Sequence, residues 1–153
     1  MSNSDRVEAV RQLLRQERYG VLSTLSVKHD GWPFGSATPY ALTADDEPLI
    51  FVSSLAEHTR NMLNHPRVSL FIQDTTTNAN PQALARATVL GLIELVSEAK
   101  YEEAAQCYVQ RFPEAAQNFQ LGDFRLLKIV VQHVRYIGGF GEMYWIGAMN
   151  EPK

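Results

Sequence analysis

A dense group of polar side chains follows a short apolar run near the middle of the chain. Residues 48–52 have the composition of a β-strand, and the spacing of Ser54 and Glu57 is that of a capping box, which predicts a helix from about residue 55 that ends before Pro66. A helix N-terminus offers free N–H groups and the positive end of the helix dipole, both of which favour a phosphate. The segment therefore predicts a phosphate cradle, formed by Ser53, Ser54, His58, Thr59, Arg60 and Asn61.

Other reactive residues do not form a catalytic or metal-binding pattern. No pair among His29, His58, His65 and His133 has the i, i+3 or i, i+4 spacing of a helical metal site, so no metal is expected. His58 stays open between a structural role and a phosphate contact, and the other three are interpreted as structural or surface residues. Cys107 falls beside the apolar face of a predicted helix, which favours an inert thiol. The sequence contains neither a G-x-S-x-G elbow nor a P-loop, which argues against hydrolases and kinases.

The composition is that of one globular domain. The chain has 153 residues, of which 45% are hydrophobic, and a formal charge of −3, so we expect a single domain over residues 1–153. No basic run indicates a nucleic-acid partner, and no apolar run approaches the ~20 residues needed to span a membrane. The N-terminal residues lack the pattern of a secretory signal and the single cysteine fits a reducing compartment, so a cytoplasmic location is expected.

The elements that must position these side chains are mostly antiparallel strands. A helix is predicted at about residues 4–19, with Ser4 as its N-cap and one apolar face. Another helix begins after Ser97, and Gly91 marks a bulge or bend inside a long strand. The helices are inserted between hairpins rather than alternating with strands, which favours an antiparallel barrel over a doubly wound sheet. The predicted strands cover residues 20–27, 34–42, 49–53, 68–73, 84–96, 123–137 and 142–146.

Several blocks of the sequence resemble a known family. Their order and spacing are similar to those of the pyridoxamine 5′-phosphate oxidase-like family of FMN-binding split barrels. Within this family, the chain is most similar to the haem-utilisation (HugZ-like) branch. The principal blocks are residues 31–40 (GWPFGSATPY), 49–61 (LIFVSSLAEHTRN) and 64–70 (NHPRVSL), and the shorter ones are residues 85–91, 108–113, 122–124 and 134–141.

The resemblance implies a mainly β fold, namely a six-stranded antiparallel Greek-key split barrel with inserted helices. It also implies a homodimer that holds one FMN in each of two clefts between the subunits. The phosphate and ribityl chain would contact the cradle, with either His58 or Arg60 as the main phosphate contact. The remaining contacts implied by position are Ser36, Thr38, Pro39 and Tyr40 at the edge of the flavin ring, and Arg86 and Trp145 from the partner subunit.

The function implied by the resemblance is that of an FMN-dependent oxidoreductase acting on a small-molecule redox substrate, with no catalytic residue assigned. Two alternatives stay open: a haem-binding protein of haem utilisation, and a non-catalytic dimeric FMN-binding module. Pyridoxamine phosphate oxidases end in a basic, histidine-containing motif, and residues 143–153 lack it. Haem-degrading members have an additional C-terminal domain, and the sequence ends before one. These departures argue against pyridoxamine phosphate oxidation and against haem cleavage.

Overall fold

The computed structural model describes residues 2–139 and 141–149, which form one curled antiparallel sheet with three α-helices. Phe140, in the block at 134–141, and residues 150–153, in the C-terminal segment considered above, lie outside the described residues, as does Met1. The helices are α1 (Asn3–Gln16), α2 (Glu57–Asn64) and α3 (Glu98–Arg111), and short 3-10 helices span Pro81–Ala83 and Pro113–Gln120. The strands are β1 (Tyr19–Leu25), β2 (Pro33–Pro39), β3 (Ala41–Leu42), β4 (Pro48–Ser53), β5 (Arg67–Gln73), β6 (Arg86–Leu95), β7 (Phe124–Ile137) and β8 (Met143–Ile146).

The sheet curls because its two ends are consecutive in the chain. The strand order is β2-β1-β5-β6-β7-β4-β3, with β8 paired to β7. The two end strands, β2 and β3, are separated only by Tyr40. The pairing of β2 with β1 ends at Pro39 and Tyr19, the Tyr40 N–H still donates to the Arg18 carbonyl at 3.0 Å, and from Ala41 the chain pairs with β4. The predicted strand at 34–42 is therefore two strands, and the described residues form eight strands, where the sequence pattern predicts seven and the resemblance implies six.

The interior of the curled sheet holds the main hydrophobic core. A row of buried apolar side chains crosses five neighbouring strands in register: Leu22, Leu70, Val89, Val134 and Ile146. The fully buried Val10 and Leu14 of α1 belong to the same core. Burying each such side chain contributes about 1.5–3 kcal/mol, and a slip of one residue would turn the row outward, so the core fixes the register.

The first helix starts and ends earlier than the sequence predicts. Ser2 rather than Ser4 is its N-cap: the Ser2 hydroxyl accepts from the Asp5 N–H at 3.1 Å and the Asp5 carboxylate accepts from the Ser2 N–H at 3.3 Å. The helix stops before Glu17, whose buried carboxylate accepts a hydrogen bond from the Thr75 hydroxyl at 2.7 Å. The prediction of a helix to residue 19 is wrong because this tertiary contact draws Glu17 out of the helix.

The third helix packs on β3 and β4 around a second hydrophobic cluster. Tyr108 of α3 and Phe112, the C-cap residue of that helix, are buried there with Leu49 and Leu126 from the sheet. The helix follows Ser97 as predicted. Cys107 lies half-buried beside this cluster, in agreement with the prediction of a thiol next to the apolar face.

Candidate functional site

The junction between β4 and α2 is built differently from a capping box. The N-cap of α2 is Ala56, and no side chain caps the helix. Ser54 is instead tied to the start of β7, because its N–H donates to the Asp123 carbonyl at 2.6 Å and its hydroxyl accepts from Arg125 Nε at 3.1 Å. The prediction that Ser54 and Glu57 form a capping box is therefore wrong. The hydroxyl of Ser53 accepts from the Leu55 N–H at 3.1 Å, which makes a local turn.

Two residues of the predicted cradle are buried and bonded within the protein. Thr59 donates its hydroxyl hydrogen to the Ser53 carbonyl at 2.6 Å. Asn61 accepts from the Val27 N–H at 3.0 Å and donates to the Thr24 hydroxyl at 3.0 Å. Both side chains are fully buried. They hold α2 against β4 and against the β1–β2 hairpin, and their role as ligand contacts stays a prediction.

His58 lies at the edge of this region, opposite β2. Its Nδ1 is 3.3 Å from the Ser36 hydroxyl, and its buried Nε2 has no hydrogen-bond partner among the described residues. Burial lowers the pKa of the imidazole below its ordinary value of 6.5, so His58 is neutral at neutral pH. Arg60 is exposed. Neither residue therefore places a permanent charge inside the cradle.

The residues predicted to contact the edge of a flavin ring do not all point the same way. Thr38 is buried and donates to the Ser36 carbonyl at 3.2 Å, whereas Pro39 is exposed. Tyr40 is fully buried, and its hydroxyl donates to the Leu14 carbonyl at 2.7 Å. Burial raises the pKa of this hydroxyl, which stays protonated. Of this set, only Ser36 lies beside a residue of the cradle through a direct contact, its contact with His58.

Arg86 and Trp145 lie on the other face of the sheet from Ser36. Ser36 pairs with Leu22 of the buried row. Trp145 belongs to an outward row that crosses the same strands, and it is 54% exposed. We call the face that contains this row the outer face; its row consists of Val21, Phe71, Thr88, Arg135 and Trp145. The Arg86 guanidinium donates to the carbonyls of Pro81, Gln82 and Leu84. One chain alone therefore does not bring Ser36 and Trp145 into one site.

Arg125 lies at the junction, although no local sequence pattern marks it as a ligand-binding residue. It is exposed and pairs with Val52 across β4 and β7. Its position could be found only from that antiparallel pairing, because more than 60 residues separate it from Ser54 in the chain. With the free N–H groups at the start of α2, it offers an anion one cation, while Glu57 in the first turn opposes an anion. The residues present fit the phosphate of FMN only in part.

A second concave surface crosses the outer face of the sheet. This outer groove has a volume of about 550 Å³ and lies between β1, β5, β6 and β7. Its walls include Leu25, Leu90 and Leu92, together with the polar side chains Arg67 and His133. An apolar groove with a few polar groups can hold a flat organic ligand. Among the described residues, no group of three or more His, Cys, Asp or Glu side chains is arranged to hold a bare metal ion.

Comparison with known proteins identifies the fold family. The CREG β-barrel family matches residues 2–152, nearly the whole chain. This chain belongs to the CREG β-barrel family. Membership confirms the predicted resemblance to the FMN-binding split barrels and to their HugZ-like branch, and it confirms the predicted split-barrel class.

Individual relatives of this CREG β-barrel protein are described as haem proteins. It is 36% identical over 133 residues to the chloroplastic haem oxygenase HOZ of Arabidopsis thaliana. The matched region covers 87% of this chain and 40% of HOZ. It is 29% identical over 147 residues to the haem oxygenase HutZ of Vibrio cholerae, and this match covers 92% of this chain and 81% of HutZ. A solved haem-binding protein from Mycobacterium smegmatis has a TM-score of 0.86 and 30% identity, over 92% of this chain and 57% of that one.

The matched region is only part of two of these relatives. The CREG β-barrel chain spans about two fifths of the length of HOZ and just over half of the solved haem-binding protein. The shared part is the barrel itself.

No helix in the described part of the chain is both long enough and apolar enough to cross a membrane.

Proposed function

We propose that this CREG β-barrel protein binds haem and serves haem utilisation. The observation on which the proposal rests is the similarity to two haem oxygenases, which extends over 87% and 92% of the chain. Haem would be the ligand and, where the ring is opened, also the substrate. The proposal favours the haem alternative over the FMN-dependent oxidoreductase that the sequence resemblance put first.

The geometry of the two concave surfaces supports this choice. At the β4–α2 junction, Thr59 and Asn61 are engaged inside the protein, and His58 is neutral, so a phosphate finds few free donors. The outer groove has apolar walls that suit the ring of a porphyrin, and the imidazole of His133 and the guanidinium of Arg67 also line it. Haem binding requires apolar contact, a ligand for the iron and a partner for the carboxylates, and the outer groove offers all three. The β4–α2 junction offers fewer of the groups that the phosphate of FMN requires.

We infer that the functional form is a homodimer. The outer face exposes apolar side chains that a second copy would cover, among them Val21, Met143 and Trp145. Arg86 and Trp145 would then lie against the partner's Ser36 and His58, as the resemblance implies for the cleft between subunits. A cytoplasmic location stays a prediction from the single cysteine.

A haem titration tests the proposed function. Purified protein is titrated with hemin, and the Soret band is followed against a buffer blank. We expect a shifted Soret band that saturates at a fixed ratio of haem to chain. Addition of ascorbate in air to the complex then tests for oxidative loss of the Soret band and release of iron to a chelator. A Soret band identical to that of free hemin at all ratios would refute haem binding.

FMN binding is the second candidate, and one structural observation favours it. The free N–H groups at the start of α2 and the exposed Arg125 beside Ser54 could together hold a phosphate. Titration with FMN, followed by quenching of flavin fluorescence, tests this candidate, and Arg125→Ala should weaken binding. Turnover with NADH or NADPH would distinguish an FMN-dependent oxidoreductase from a non-catalytic FMN-binding module.

A further inference from the structure

A β-bulge on β7 turns His133 toward the outer face. Leu90 pairs with His133, but its neighbour Gly91 pairs with Val131, so Gln132 is an extra residue without a partner. Without the extra residue, His133 would have the same orientation as the buried Val131. With it, Gln132 and His133 are both exposed, and Val134 returns to the buried row. Bulges commonly occur next to binding sites, where they re-aim a side chain.

His133 closes one end of a row that forms part of the outer groove. Ser23, Ser69, Leu90 and His133 face one another in register across β1, β5, β6 and β7. Three strand spacings separate the ends of this row, a width of about 14 Å. The groove over this row has a volume of about 550 Å³ and is walled by leucines. Its shape suits a flat ligand lying against the sheet.

Arg67 provides a cation two strands away from His133. It is exposed on β5 and pairs with Leu92, which also lines the groove. A guanidinium pairs with carboxylates through charge-assisted hydrogen bonds. Two of the polar groups that line the groove are thus an imidazole, which is a common ligand of haem iron, and a guanidinium that can pair with an acidic substituent at the edge of a ring.

We propose that the outer groove is a haem site in which the imidazole of His133 ligates the iron and Arg67 pairs with a propionate. The ring lies over Leu90 and Leu92, and one face of it is left for a second copy of the chain to cover. This assignment rests on the proposed function, which supplies the identity of the ligand. It adds the location of the site and the residue that holds the iron.

Histidine substitutions test the assignment. His133→Ala is compared with His29→Ala, a matched control because His29 is also exposed but lies in the β1–β2 turn, outside the groove. We expect His133→Ala to weaken haem binding by at least about tenfold, a loss typical for metal ligands and their supports, and His29→Ala to leave binding unchanged. The Fe–His stretching band in the resonance Raman spectrum of the ferrous complex should disappear only in His133→Ala. Circular dichroism checks the folding of both variants.

The outcomes separate this assignment from the proposed function. If the parent protein binds haem and His133→Ala binds it equally well with the same Fe–His band, the assignment is overturned and the proposed function stands. If the parent protein binds no haem, both the assignment and the proposed function are overturned. If His133→Ala does not fold, His133→Gly is used with and without imidazole. Recovery of haem binding by millimolar imidazole supports the assignment, and haem binding that does not depend on imidazole overturns it.

The role of Arg67 is tested by removing charge from either side of the pair. Arg67→Ala should weaken binding of hemin several-fold. The dimethyl ester of hemin lacks the propionate charges, so the same substitution should leave its binding unchanged. Equal losses for hemin and its ester would show that Arg67 does not pair with a propionate and would overturn that part of the assignment.

Discussion

The imidazole of His58 illustrates how burial decides what a single residue offers a ligand. A lysine at this position would provide a permanent charge for a phosphate, but a half-buried imidazole with a lowered pKa is neutral at neutral pH. Thr59 and Asn61 are also not available to a ligand, because their polar atoms form hydrogen bonds inside the protein. The residues that gave the sequence its phosphate-binding pattern thus largely position α2.

The pH dependence of stability should report the state of His58. Because its pKa is lower in the folded than in the unfolded protein, the unfolded state binds more protons below about pH 6.5. The stability of the parent protein should therefore be complete above that pH and decline as the pH falls below it. Urea unfolding from pH 5 to 8 should show a smaller decline for His58→Gln than for the parent, with His29→Gln as control. Identical pH profiles for His58→Gln and the parent would contradict the burial argument.

Asn61 should matter for stability even without a ligand. Asn61→Ala leaves the Val27 N–H and the Thr24 hydroxyl without this partner in a buried place, at a cost of about 2–3 kcal/mol. Urea unfolding of the ligand-free protein measures this loss. Asn64→Ala, at an exposed position of the same helix, is the matched control and should change little. Unchanged stability of Asn61→Ala would contradict the structural role assigned to these two hydrogen bonds.

At the scale of elements, local patterns predicted the strands and failed where a distant partner decides. The alternation of apolar residues gave β5 and β7 nearly to the residue, because that pattern is local. Gly91 was correctly expected at a bulge. The start of α2 was mispredicted because Ser54 is bonded by Arg125 from β7 instead of capping the helix. The outward turn of His133 could not be predicted, since it depends on which residue of β7 is left without a partner in β6.

The bulge itself should not tolerate a side chain at Gly91. A Cβ placed there would lie 2.4 Å from Cγ2 of Ile129 and 2.7 Å from the Val130 carbonyl oxygen. Gly91→Ala should therefore lower the free energy of unfolding by about 1–3 kcal/mol, the usual cost of overpacking. A Cβ at Gly122 would meet nothing within 4 Å, so Gly122→Ala is the matched control for chemical denaturation. Equal stability of the two variants would contradict the close packing at the bulge.

At the scale of the whole molecule, the sheet curls around the main core and leaves several apolar side chains exposed on its outer face. Val21 and Trp145 are both substantially exposed there in the single chain. The fold class and the family could be predicted from the sequence because strand order and sequence blocks extend along most of the chain. Opposite orientations of Ser36 and Trp145 could not be predicted, because they follow from the pairing of six strands across the sheet.

The oligomeric state tests the dimer that these exposed residues indicate. Sedimentation equilibrium of the parent protein should give twice the chain mass of 17.2 kDa. Val21→Glu should yield monomers, because a buried unpaired carboxylate in an interface is strongly unfavourable. Leu121→Glu replaces an exposed leucine in the segment between α3 and β7 and should stay dimeric. A monomeric parent protein would remove the dimer from the proposed function.

Parallel titrations of one ligand-free preparation with hemin and with FMN test the choice of ligand most directly. Hemin should shift the Soret band and saturate at one haem per chain, and FMN should bind at least about tenfold more weakly, because the junction offers its phosphate few free donors. Tight FMN binding together with an unshifted Soret band would show that the barrel is a flavin site and that haem binding is wrong.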